Sequence, residues 1–149
     1  MTVTQHGAAT VLAYAAGGRS GHAVLPADDN ICPHALYKVS LVGAVPGRVL
    51  ILSTEYLSRP GSPSHQCGGG VEIVLRVVSL RPVLHQTLAG HVDSCWTSIE
   101  SRRIEWTASA HTLLIDRDDP GPAASHTVKT YAVQADGTVR LRSSLSEGY

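Results

Sequence analysis

Hydrophobic positions recur along this chain with a period of two rather than 3.6, the spacing of strands and not of helices. Tyr37, Val39 and Leu41 alternate with Lys38 and Ser40, which reads as a strand with one wet face. Two longer stretches are apolar on both sides. Between Arg48 and Leu57, Val49 and Ile51 point one way and Leu50 and Leu52 the other. Between Val71 and Leu80, residues Val71, Ile73, Leu75 and Val77 oppose Val74 and Val78. Such runs predict central strands covered on both faces. Further strands are expected at Val11–Ala15, Pro82–Ala89, Arg103–Ala108, Thr112–Asp116, Thr127–Gln134 and Thr138–Arg142, where Val, Ile, Leu and Thr dominate. The last two read as a hairpin, because Asp136-Gly137 supplies the positive φ angles of a tight turn. Gly43 to Gly47 reads as a turn centred on Pro46-Gly47. Helical periodicity is confined to a short turn around Asp93–Arg102.

The pattern therefore predicts an all-β, mostly antiparallel fold. A single β domain is expected over 1–149, as a sandwich or a meander or propeller-like sheet with at most one or two short helical turns. The ends, 1–8 and 143–149, are expected to be loose. Two segments are loops by composition: Arg59–Gly70, with Pro60, Gly61, Pro63 and Gly68 to Gly70, and Asp116–Ser125, with Asp118, Asp119, Pro120, Gly121 and Pro122. Loops on a rigid scaffold are where function most often sits.

Composition narrows the function classes. A length of 149 residues fits one domain. The formal net charge is zero, so no strong field steers the chain onto nucleic acid. The five tyrosines are spread out and form no base-stacking platform. No run reaches the roughly 18 apolar residues of a membrane span. The alanine-rich start, 1–18, lacks the basic region of a signal peptide. Two localisations follow: cytoplasmic, or exported with its leader already removed.

Candidate chemistry centres on the cysteines. Cys67 and Cys95 flank two predicted strands, and an antiparallel pair returns the chain toward its start, so the two thiols could meet. A bridge there closes a loop of roughly 29 residues and contributes about 3.5 kcal/mol in the loop-entropy picture. The alternative is three unlinked thiols, Cys32 included, in a reducing compartment. Each cysteine also has a nearby histidine, so His65, Cys67, His91 and Cys95 form a candidate zinc set. A bridge would remove both thiolates from that set, and the two readings compete. Gly18-Arg19-Ser20-Gly21-His22 fails as a serine elbow, because His22 stands where the second glycine belongs. Gly68-Gly69-Gly70 precedes a strand rather than a helix and cannot cradle a phosphate. Asp116, Asp118 and Asp119 could hold calcium at alternate positions, but Pro120 interrupts the pattern. They suit an Arg117-balanced loop or a surface for a basic partner.

The stretch Cys67-Gly68-Gly69-Gly70-Val71-Glu72 before one apolar strand, with Asp93-Ser94-Cys95 after the next, carries a resemblance. It resembles a loose group of small exported bacterial proteins with a Cys-Gly-Ala-Gly-x-Glu stretch before a strand and a Ser-Cys after the following one. Gly69 stands where that group usually has alanine. Some members look like the partners that neutralise toxins delivered between competing bacteria. The resemblance implies a periplasmic or otherwise exported, disulfide-bearing β protein. With no assembled active site in view, the expected function is non-catalytic: an immunity or inhibitor protein whose loops occlude a toxin's cleft. Arg59, His65, Asp116, Asp118 and Asp119 are the expected partner contacts. The alternatives are a metal-binding protein or metal-dependent enzyme using the His/Cys set, and an assembly subunit pairing through edge strands.

Overall fold

In the computed structural model, residues 1–6, 9–16, 19–25, 31–59, 70–119 and 124–148 are described. Among them the chain forms eleven strands and one short 3-10 turn. The strands are β1 (Thr2–His6), β2 (Ala9–Ala16), β3 (Arg19–Leu25), β4 (Ile31–Val45), β5 (Val49–Ser58) and β6 (Val71–Ser79). They continue as β7 (His85–Ser94), β8 (Glu100–Thr107), β9 (Thr112–Asp119), β10 (Ser125–Val133) and β11 (Val139–Gly148). All pairings are antiparallel, in three meanders: sheet A is β1-β2-β3, sheet B is β4-β5-β6-β7, and sheet C is β8-β9-β10-β11. The fold is all-β, as the period of two predicts.

Sheet B is the central layer. Val49 and Ile51 on β5, with Leu75 and Val77 on β6, join Leu113 and Val133 of sheet C in the largest buried cluster. Leu52 and Val78 point the other way and meet Leu12 and Leu25 of sheet A. The two doubly apolar runs of the sequence are thus the two middle strands of a doubly covered sheet, and they contain most of the fully buried aliphatics. Removing the core of both layers from water is the main favourable term in the fold. Close approach of sheets B and C requires Gly43, since a Cβ there would lie 2.3 Å from Cδ1 of Trp106.

The turns fall near their expected places, though Gly43 to Val45 belong to β4 and the first turn covers 46–48. Gly47 and Gly137 adopt φ of 65° and 90°, the left-handed values their turns need. Several expectations shift. Residues 93–102 are not helical: β7 runs to Ser94, a turn follows, and β8 begins at Glu100. Strand β9 continues through Asp119, so Asp116, Asp118 and Asp119 lie on a strand rather than in a loop. The ends expected to be loose are β1 and the last part of β11. Strands β1 and β3 escape sequence reading because Ala, Gly, Thr and His carry little alternation.

Candidate functional site

The residues singled out in the sequence separate into a structural corner and a solvated sheet face. The corner lies where β6 begins and β7 ends. Glu72 pairs with Ser94 across the ladder and is fully buried. Its Oε1 accepts hydrogen bonds from Ser58 Oγ (2.7 Å) and from the backbone N–H of Trp96 (3.2 Å). Its Oε2 accepts none among the described residues and lies 3.5 Å from Nε2 of His91. Ser94 Oγ accepts from the Thr97 N–H at 3.1 Å, which closes the turn after β7. The Cys95 N–H bonds to the Val71 carbonyl, and the Trp96 indole N–H donates to the Arg59 carbonyl at 3.0 Å. Gly70 packs so tightly that a Cβ would lie 2.5 Å from Cys95 Sγ. The described residues of the Cys-Gly-x-Gly-x-Glu and Ser-Cys stretches therefore meet in one place, where Gly70, Glu72, Ser94 and Cys95 form a latch joining two strands to a turn. A buried carboxylate aimed at backbone and hydroxyl donors is how such a corner satisfies its orphan N–H groups.

Cys67 and His65 lie outside the described residues. Cys95 is engaged. Of the candidate zinc set, His91 and Cys95 are described. Among the described residues no three His, Cys, Asp or Glu side chains converge as a metal site. Beside the latch, burial pushes the Asp93 carboxyl above the usual carboxylate range. The neighbouring charges of Glu100 and Glu72 add to this, and hydrogen bonds from Ser101 oppose it.

The carboxylates expected to face a partner are already engaged. Asp116 accepts from His126 Nε2 at 2.6 Å, Asp118 pairs with Arg102 at 2.7 Å, and Asp119 pairs with Arg117 at 2.9 Å. Alternation along β9 puts Asp116 and Asp118 on the solvated face of sheet C and Asp119 on the face toward sheet B. The three therefore do not converge. Arg59 is exposed beside the latch.

Two features escape sequence reasoning. The first is a buried guanidinium. Arg76 is 2% exposed and sits between sheets A and B. It donates to Thr54 Oγ1 (3.1 Å), Gln86 Oε1 (2.6 Å) and Tyr56 OH (3.3 Å). Tyr56 OH in turn bonds Thr10 Oγ1 of sheet A at 2.7 Å. All of these partners are neutral. The available signal was Arg76 itself, a charge inside a run apolar on both sides. The second is β11, which lies at one edge of sheet C with no further strand paired to it among the described residues and with nine of its ten residues exposed. No family model, curated protein or solved structure matches the chain.

Proposed function

We propose that this chain is a non-catalytic binding protein that takes an extended, acidic segment of a partner protein along the free edge of β11. The exposure of β11 carries the proposal. A ten-residue strand that buries almost nothing adds little to its own core. Native proteins usually shorten or cover such an edge, because its row of unpaired N–H and C=O groups templates another strand. Leu141 and Leu145, 56% and 67% exposed and on opposite faces of the sheet, would each gain a cross-strand neighbour from an added strand. Charge selects the partner. Arg102, Arg103 and Arg117 of the same sheet are each paired with a carboxylate. Arg140 and Arg142 form no ion pair among the described residues and call for acidic side chains opposite. A foreign strand suits this edge better than a second copy. The β10–β11 ladder skips Arg142, and self-pairing would set two such irregularities within a few residues of each other.

The resemblance makes the partner a bacterial effector toxin and the chain its immunity protein in an oxidising, exported compartment. In that setting Cys67 bridges Cys95. Supporting the bridge, Cys95 is already engaged, and Gly70, three residues after Cys67, packs on its sulfur.

Fluorescence anisotropy tests the edge with a labelled peptide of alternating Glu and Val against its Lys/Val counterpart. The acidic peptide is expected to bind roughly tenfold tighter or better, and Arg140→Glu with Arg142→Glu to reverse the order. Equal binding of the two peptides, or an order unchanged in the variant, overturns the proposal.

A further inference from the structure

Sheets B and C do not close completely along β7. Gly90 pairs with Leu75, so a side chain at position 90 would project toward sheet C as Leu75 does. A Cβ built at Gly90 meets nothing within 4 Å. The glycine leaves a cavity of about 80 Å³. Leu75, Leu88 and Ile115 supply its apolar floor, and Arg117, Lys129 and Tyr131 its polar wall.

The polar wall has an excess of cation. Arg117 is held in place, with Nε on Asp119 at 2.9 Å and a second N–H donating to the His91 carbonyl at 2.7 Å. Lys129 is half-buried and makes no hydrogen bond or ion pair among the described residues. An ammonium in a partly desolvated, apolar-floored site gains most from an anion that replaces its lost water. The Tyr131 hydroxyl stays protonated at neutral pH, because burial raises it further above its ordinary value while Arg117 only partly opposes this. It can therefore donate to the same anion. Asp119 engages Arg117 and is not among the lining residues, so Lys129 is the cation of the wall left to meet an anion. Its volume is about half of the ~150 Å³ that holds the six carbons of benzene, so it encloses an alkyl chain of about three carbons with the charged head at the polar wall.

We propose that this cavity binds a small aliphatic monocarboxylate, with the carboxylate on Lys129 and Tyr131 and the alkyl chain on Leu75, Leu88 and Ile115. Apolar walls with a few convergent polar groups are the general form of a small-molecule site. The site is separate from the β11 edge and stands or falls independently of it.

The test is an amide chemical-shift titration with sodium butyrate, butylamine and inorganic phosphate on wild type, Lys129→Met and Gly90→Val. Butyrate is expected to give saturable shifts at Gly90, Lys129 and Tyr131, with butylamine silent. Lys129→Met, which removes the ammonium and keeps an unbranched side chain one atom shorter, is expected to weaken butyrate by roughly tenfold or more. Gly90→Val is expected to abolish binding by filling the cavity while the thermal midpoint holds or rises. Butylamine binding as well as butyrate, or Lys129→Met binding unchanged, overturns the site. Phosphate matching butyrate overturns the alkyl part and reassigns the cavity to inorganic anions. Because Lys129→Met acts without filling space, misfolding of Gly90→Val would leave the decision intact.

Discussion

Replacing Arg76 by methionine is expected to leave stability nearly unchanged, whereas replacing its neighbour Tyr56 by phenylalanine is expected to be costly. The guanidinium is 2% exposed and makes three hydrogen bonds to neutral acceptors. Hydrogen bonds from a charged donor contribute about 1.5–3 kcal/mol each, and burying the ion costs several kcal/mol in desolvation. The two nearly cancel. Methionine fills a similar volume, and each former partner keeps a use. Thr54 Oγ1 still donates to the Val74 carbonyl, Tyr56 OH still bonds Thr10, and Gln86 is partly exposed and can turn to water. Arg76→Met should therefore stay within about 1 kcal/mol of wild type. Tyr56→Phe strips a partner from Thr10, 2% exposed, and from the still-charged Arg76. Two buried polar groups left unsatisfied cost about 2–5 kcal/mol, or a fall of roughly 5–15 °C in Tm for a chain of this size. Urea unfolding of both variants, with slopes compared, measures the order directly. An Arg76→Met loss above about 3 kcal/mol, or a Tyr56→Phe loss below about 0.5 kcal/mol, would show that the cation and not its neutral network holds sheets A and B together.

Three further outcomes follow from the packing and titration. Gly43→Ala should cost about 1–3 kcal/mol by thermal melting, because its Cβ overlaps Trp106 in the core between sheets B and C; an unchanged melt contradicts that approach. Asp93 has a carboxyl pKa raised in the folded state, so its ionisation opposes folding above the ordinary carboxylate range and the penalty vanishes in acid, below both pKa values. Asp93→Asn should raise Tm at pH 7 and lose that advantage near pH 3, and a pH-independent effect contradicts the assignment. The intact mass should rise by two hydrogens on reduction, with the difference lost in Cys67→Ala and kept in Cys32→Ala; equal masses before and after reductant contradict the bridge.

The layers of the fold are largely visible in the sequence because burial on two faces leaves a distinctive trace. Val49 to Leu52 and Val71 to Val78 are apolar at odd and even positions alike, and a strand tolerates that only between two covering layers. Gly137, with its positive φ, fixes the last hairpin for a purely local reason. Sheet A shows only its middle strand, expected at Val11–Ala15 and found as β2. Strands β1 and β3 contribute few buried side chains, Leu25 chief among them in β3, and their remaining residues are small or polar. The site was legible only in part. Gly70, Glu72, Ser94 and Cys95 stand out as a motif, but their role as a latch depends on a turn that brings Trp96 N–H onto Glu72. Asp116 and Asp118 suggest a binding loop until His126 and Arg102, far along the chain or on another strand, are seen to engage them. The cavity beside Gly90 has no sequence signature, since it arises from a missing side chain on β7 that comes to face Arg117 and Lys129, on neighbouring strands of sheet C, only when the two sheets pack.

Hydrogen exchange of the backbone amides with and without a saturating acidic ten-residue strand peptide tests the central claim most directly. Bound peptide should slow exchange along Val139–Gly148, leaving the edges at β4 and β8 unchanged. Protection that appears on β4 or β8 instead, or nowhere on β11, contradicts binding through the β11 edge.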